Sequence, residues 1–175
     1  VIANWVVTLL IRTGETERLA GAIGALTLLL GIVSRPLGGL IMRRRPHLIH
    51  AVVAASIAAG AAGTLLLATA ESLPVAVVGA AVVGLSAGIP FAPTFTGAAN
   101  TRPEAPATAV GFVNCAAALV ILVGTPLLGL AFSRTDDGRI GFVVVAALWA
   151  AVLIVLPTKA ELGATPAAAR ESQSG

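Results

Sequence analysis

The feature that most restricts this chain is the spacing of its charges. Five apolar runs, each at least 17 residues long, are separated by short charged or turn-forming segments. They are Leu19–Met42, Leu48–Ala70, Val75–Asn100, Val110–Phe132 and Ile140–Leu156. A helix crosses a bilayer core with about 20 apolar residues. Inside lipid every backbone N–H and C=O must find its partner within the protein, a condition that a helix meets by itself. The pattern therefore predicts an all-α, polytopic transmembrane helix bundle. Val1–Ile11 is apolar but too short to span, and reads as the second half of a truncated helix. That makes about five and a half spans, with a transmembrane unit over 1–158 and a disordered tail over 159–175. Because the chain opens inside an apolar stretch at Val1, it is expected to be a fragment lacking an N-terminal part.

Composition agrees with this class. Hydrophobic residues make up 57% and charged residues 11%, against roughly 25% charged in a soluble domain. The pI near 10.5 raises the question of nucleic acid, but no solvated basic patch is interleaved with aromatics. Orientation in a membrane explains the basic balance better, and no nucleic-acid partner is expected. Cys115 is alone, which excludes an internal disulfide and a cysteine-cluster metal site. His47 and His50 lack the partners that a metal needs. No histidine pair lies within a span to hold haem, and no carboxylate pair is placed for hydrolysis. Neither a cofactor nor a metal is expected, and the chain does not read as an enzyme.

The stretch 31–46, GIVSRPLGGLIMRRRP, organises the rest. Arg43, Arg44 and Arg45 mark where a helix leaves the membrane, since three arginines do not enter hydrocarbon cheaply. Arg35 lies about two turns inside that end, roughly 12 Å at 1.5 Å per residue. Two readings stand: an arginine that snorkels to the headgroups along its stem, or an intramembrane charge with a function. The run at 75–100 is unusual in another way. Its GLSAGIPFAPTF segment carries two prolines, and each removes a backbone donor. In a membrane such a break is tolerated where protein or a water-filled cavity surrounds it, so this helix is expected to line an interior path. Gly21, Gly24 and Gly31 leave room for close helix packing, and the stripe Ala54, Ala58, Ala62 reads as a packing face.

The polar loops alternate between two sides. The arginine run, the TRPEAPA loop and the tail carry Arg43, Arg44, Arg45, Arg102, Lys159 and Arg170. The opposite side carries Arg12, Arg18, Arg134 and Arg139. The bias favours a cytoplasmic C-terminus in a multi-pass inner-membrane protein. An internal match accompanies this: Pro36, Leu37, Gly39 and Leu40 recur as Pro126, Leu127, Gly129 and Leu130. Six helices in two related groups of three, inverted with respect to one another, would place those residues in corresponding helices.

Together these features resemble the C-terminal half of a major facilitator superfamily permease, roughly its helices seven to twelve. The landmarks are RPLGGLIMRRRP, GLSAGIPFAPTF and GFVNCAAALVILVGTPLLG. The family's loop motif reads glycine, three residues, Asp-Arg, one residue, glycine, then basic residues. Gly39 and Arg44 fit it, within the set Gly38, Gly39, Arg43, Arg44 and Arg45. Arg43 stands at the Asp position and Pro46 at the second glycine, which weakens any charge-pairing gate here. An arginine ahead of a Gly-Gly pair is similar to the nitrate/nitrite porter branch, where it binds substrate. That resemblance places Arg35 at an anion site, where its fork suits a planar oxyanion.

The resemblance implies a secondary transporter of a small solute by alternating access. Its partners would be the bilayer, the missing N-terminal six-helix half and a small-molecule substrate, an anion among the candidates. Residues expected along the path are Arg35, then Asn4, Trp5 and Thr8 on the first partial helix. The broken span adds Ser86, Pro90, Thr94 and Asn100, and the next span adds Asn114. For these polar residues interhelical packing is the competing reading. No acidic residue lies inside any span, so a proton carrier would have to sit elsewhere. The alternative is a non-transporting membrane scaffold or a truncated gene remnant.

Overall fold

The computed structural model of the chain describes residues 2–135 and 138–156. The tail read over 159–175 lies outside the described residues, as do Asp136, Asp137 and Lys159. The described residues form helices and turns with no strand. The helices are α1 Ile2–Arg12, α2 Glu17–Arg44, α3 Ile49–Thr69, α4 Leu73–Gly88, α5 Phe91–Thr101, α6 Pro106–Arg134 and α7 Arg139–Val152. A short 3₁₀ turn, Pro46–Leu48, joins α2 to α3.

Helix ends follow local chemistry. The Thr16 side chain accepts the Leu19 N–H at 3.4 Å, Glu17 stands in the first turn of α2 and Arg43 and Arg44 in its last. This is the arrangement that a helix macrodipole favours. Proline opens α6 and stands in the first turn of α4, where its missing N–H costs nothing.

Four stretches are long and apolar enough to cross a membrane: Glu17–Arg44, Pro46–Thr69, Leu73–Thr101 and Pro106–Arg134. The third comprises α4 and α5 together. The last expected span is shorter than the sequence reading had it. α7 ends at Val152, and 153–155 continue only as turns.

α2 lies across α4 and α5, while α3 packs between α4 and α7. α1 rests on α2, and α6 touches α5 and α7. One apolar cluster, with Leu9, Leu10, Ala20, Leu67, Phe132 and Phe142, fills one end of the bundle. At that end an Arg12 guanidinium nitrogen donates to the Phe132 carbonyl at 3.2 Å. Arg139 donates to the Ala70 carbonyl at 3.1 Å. These two bonds gather the polar turns around 13, 71 and 135 together. Ile49, Val53 and Ile57 form a second cluster near the arginine run, with Met42 and Trp149 against it.

Helix boundaries repeat along the chain. An offset of 90 residues carries the α2 end, Arg44, onto the α6 end, Arg134, and the α3 start, Ile49, onto the α7 start, Arg139. The same offset carries Pro36 inside α2 onto Pro126 inside α6.

Glycines, not alanines, set the close approaches. Ala58 and Ala62 are exposed and Ala54 is half-buried. The packed face of α3 instead runs through Gly60, Gly63, Thr64 and Leu67. Gly60 receives the Trp149 ring, and Gly63 backs onto Gly79 of α4. A methyl group holds two backbones apart where a hydrogen does not, so the alanine stripe yields to the glycines. Gly24 packs on Val7 and Gly31 on the Gly84 carbonyl, whereas Gly21 faces open space.

Candidate functional site

The loosened helix supplies the geometry. Pro90 has no N–H for the Ser86 carbonyl, and Pro93 has none for Ile89. The backbone nevertheless stays in the right-handed helical region, with Ile89 at φ −57°, ψ −45° and Pro90 at φ −68°, ψ −13°. The axis therefore continues while two hydrogen bonds of the helix ladder are missing. Regular bonding resumes where the Thr94 N–H meets the Pro90 carbonyl at 3.0 Å.

α2 packs tightly along this segment. Gly84 lies against the Thr27 carbonyl, Gly88 against Ser34 and the Gly31 carbonyl, and Gly38 against the Ile89 carbonyl. The Ser34 hydroxyl donates to Gly31 at 3.1 Å. Beside that crossing, residues of α2 and α4 border a groove of about 970 Å³.

The groove is bordered by residues of all seven helices. Among the described residues Arg35 is the single charged one that lines it, and none that lines it is acidic. The guanidinium carbon of Arg35 stands 4.6 Å from the centroid of the Phe91 ring. Phe91 in turn packs on Phe95 with centroids 4.6 Å apart. One face of the guanidinium is thus covered by an aromatic ring, an attractive arrangement. Its edge carries the hydrogen-bond donors, and the side chain is exposed.

Of the residues singled out in the sequence, Arg35, Pro90 and Thr94 come together on this groove. Ser86 is buried in the packing of α4 and does not line it. Asn4, Asn100 and Asn114 are exposed. Asn114, expected inside the bundle, lies on a helix that buries only Leu128 and Phe132. Thr8 is half-buried. Trp5 stacks on Phe132 at 5.0 Å, and its indole N–H is enclosed with no hydrogen-bond partner. Of the loop motif, Gly38 is buried, Gly39 is half-buried, and Arg43, Arg44 and Arg45 are exposed at the end of α2. Among the described residues no cluster of His, Cys, Asp and Glu could hold a metal ion.

Phe91, Trp149 and Thr27 belong to this site, and reading the sequence did not single them out. Phe91 carried a usable signal, since it follows directly on the proline of the break. Trp149 gave none, because only the approach of Gly60 fixes its ring. The Thr27 hydroxyl is taken up by the Ile23 carbonyl at 2.9 Å. Comparison of the chain with protein-family models, with curated proteins and with solved structures finds no match.

Proposed function

We propose that this chain is a six-helix half of a secondary transporter of the major facilitator type, moving a small solute by alternating access. In this reading the helices divide three and three, α1–α3 against the α4–α5 pair, α6 and α7. The observation that carries the reading is the 90-residue repeat of helix boundaries, with a proline inside both α2 and α6. Inverted repeats of this kind place the solute near the midplane, on helices whose hydrogen bonding is interrupted. The Pro90 segment beside Arg35 meets that description. The exposed aliphatic surface of α6, Leu122 at 70% among it, then meets lipid and a second six-helix half.

The protein sits in the inner membrane with its C-terminus in the cytoplasm, the orientation that Arg43, Arg44 and Arg45 favour. Arg35 acts as the anchor for a negatively charged group on the solute. The test is an uptake screen in cells expressing the gene, beginning with anions, beside Arg35→Lys. Lysine keeps the charge but loses the two-point fork. Uptake of an anion should fall at least tenfold while the amount of protein in the membrane is unchanged. Equal uptake by Arg35→Lys would return Arg35 to a side chain that only reaches for headgroups.

A further inference from the structure

We infer that the solute of the groove is an amphiphilic organic monoanion, a medium-chain or aryl-substituted carboxylate, and not a bare inorganic oxyanion. The inference rests on the transporter reading above and adds the substrate class. Three properties of the groove lead to it.

The first is size. At about 970 Å³ the groove lies at the upper end of the range of roughly 300–1,000 Å³ that takes drug-sized ligands. An ion such as nitrate would leave most of it unfilled.

The second is charge. Arg35 is one positive charge, and among the described residues no carboxylate lines the groove to balance it. An uncompensated cation against apolar walls is costly, and one carboxylate neutralises it. Phe91 covers a guanidinium face, which leaves the edge for a two-point bond to a planar carboxylate. A dianion would carry one charge without a partner.

The third is the wall. Leu28, Ile32, Ile57, Leu148 and Trp149 are apolar or aromatic. Thr27 and Thr94 bring the hydroxyls, and that of Thr27 is already bonded to Ile23. A polyhydroxylated solute would strip its hydroxyls of water without replacement. An alkyl or aryl body loses nothing there, and the Trp149 ring, seated against Gly60, offers it a fixed plate.

The test uses the whole chain in phosphatidylcholine nanodiscs, with radiolabelled octanoate as probe and empty discs as the baseline. Acetate, hexanoate, decanoate, nitrate and neutral octanamide serve as competitors. Competition should strengthen about fourfold per added methylene from hexanoate to decanoate, with nitrate and acetate ineffective. Arg35→Gln should weaken octanoate at least tenfold and leave octanamide within twofold. Gly124 also lines the groove and has nothing within 4 Å of an added side-chain carbon. Gly124→Leu should therefore fold normally, occupy the space and weaken decanoate at least fivefold.

Displacement of octanoate by nitrate at equal concentration would overturn the inference, as would an unaltered affinity in Gly124→Leu. Loss of octanoate binding in discs that contain acidic phosphatidylglycerol would assign the groove to a lipid and overturn it too. Flux, measured as uptake by cells expressing the gene, separates the two readings. Octanoate bound but never moved sustains the ligand class and removes the transporter. Arg35-dependent uptake of a small anion with no octanoate bound keeps the transporter and removes the ligand class.

Discussion

The carbonyl oxygen of Ile89 lies against Gly38, in the space that a side-chain carbon at position 38 would need. Pro93 has no N–H for that carbonyl, so the group is released from its own helix at the point where α2 comes nearest. Two irregularities of sequence, a glycine pair in α2 and a proline pair at the α4–α5 junction, are thus one contact in space. A weak Cα–H···O bond is the interaction open to such a pair.

A methyl group at position 38 has to push two backbones apart, since the atom it meets is main chain. Gly38→Ala should lower stability by about 1–3 kcal/mol, the cost of overpacking. Gly21 faces open space inside the same helix, and Gly21→Ala should gain about 0.5–1 kcal/mol from helix propensity. Thermal unfolding of the two variants in detergent checks this. Equal shifts at both positions would remove the proposed contact.

Phe91 holds the Arg35 guanidinium from one face. Phe91→Leu keeps apolar bulk and loses the ring quadrupole, a contribution of about 0.5–2 kcal/mol. Anion affinity should therefore drop about threefold or more, and Phe91→Trp should retain it. Octanoate displacement in nanodiscs measures both. If leucine serves as well as phenylalanine, the ring does not position the arginine.

Trp5 presents a different balance. Its ring stacks on Phe132, but its enclosed N–H has no partner, and an orphaned donor costs about 1–3 kcal/mol. Trp5→Phe removes that donor while keeping an aromatic ring, so its stability should stay within about 1 kcal/mol of the parent. Trp5→Ala empties the site and should cost about 3–5 kcal/mol. Denaturant titrations of the pair in mixed micelles decide the matter. A phenylalanine variant as damaged as the alanine one would mean that the indole N–H is satisfied after all.

The long helices could be read from the sequence because charge spacing leaves lipid-length runs little choice of structure. The loosening at Pro90 was legible for a covalent reason, the donor that proline lacks. Packing faces were harder to see. α3 is apolar on almost every side, so no periodicity marks which side turns inward, and its alanine stripe does not coincide with the buried Gly60 and Gly63. Polarity alone misplaced Asn114, because α6 turns so little of its surface inward. Phe91 and Trp149 become part of a site only through contacts 56 and 89 residues away, with Arg35 and Gly60 respectively. No local pattern encodes such contacts.

Pro90→Ala restores an N–H at a position whose backbone is already helical, φ −68° and ψ −13°. The Ser86 carbonyl regains its partner at little conformational cost, a gain of about 0.5–1.5 kcal/mol. If the missing bond exists so that α5 can bend relative to α4 during transport, the variant should unfold at higher temperature and move its solute several-fold more slowly. Binding should change less than the rate does, since Pro90 gives up only ring carbons at the groove. Reconstituted uptake, equilibrium binding and a melting curve on the same preparation separate these effects. A variant that is more stable and equally fast would show that the turn is only a packing accommodation to Gly38, with no part in movement.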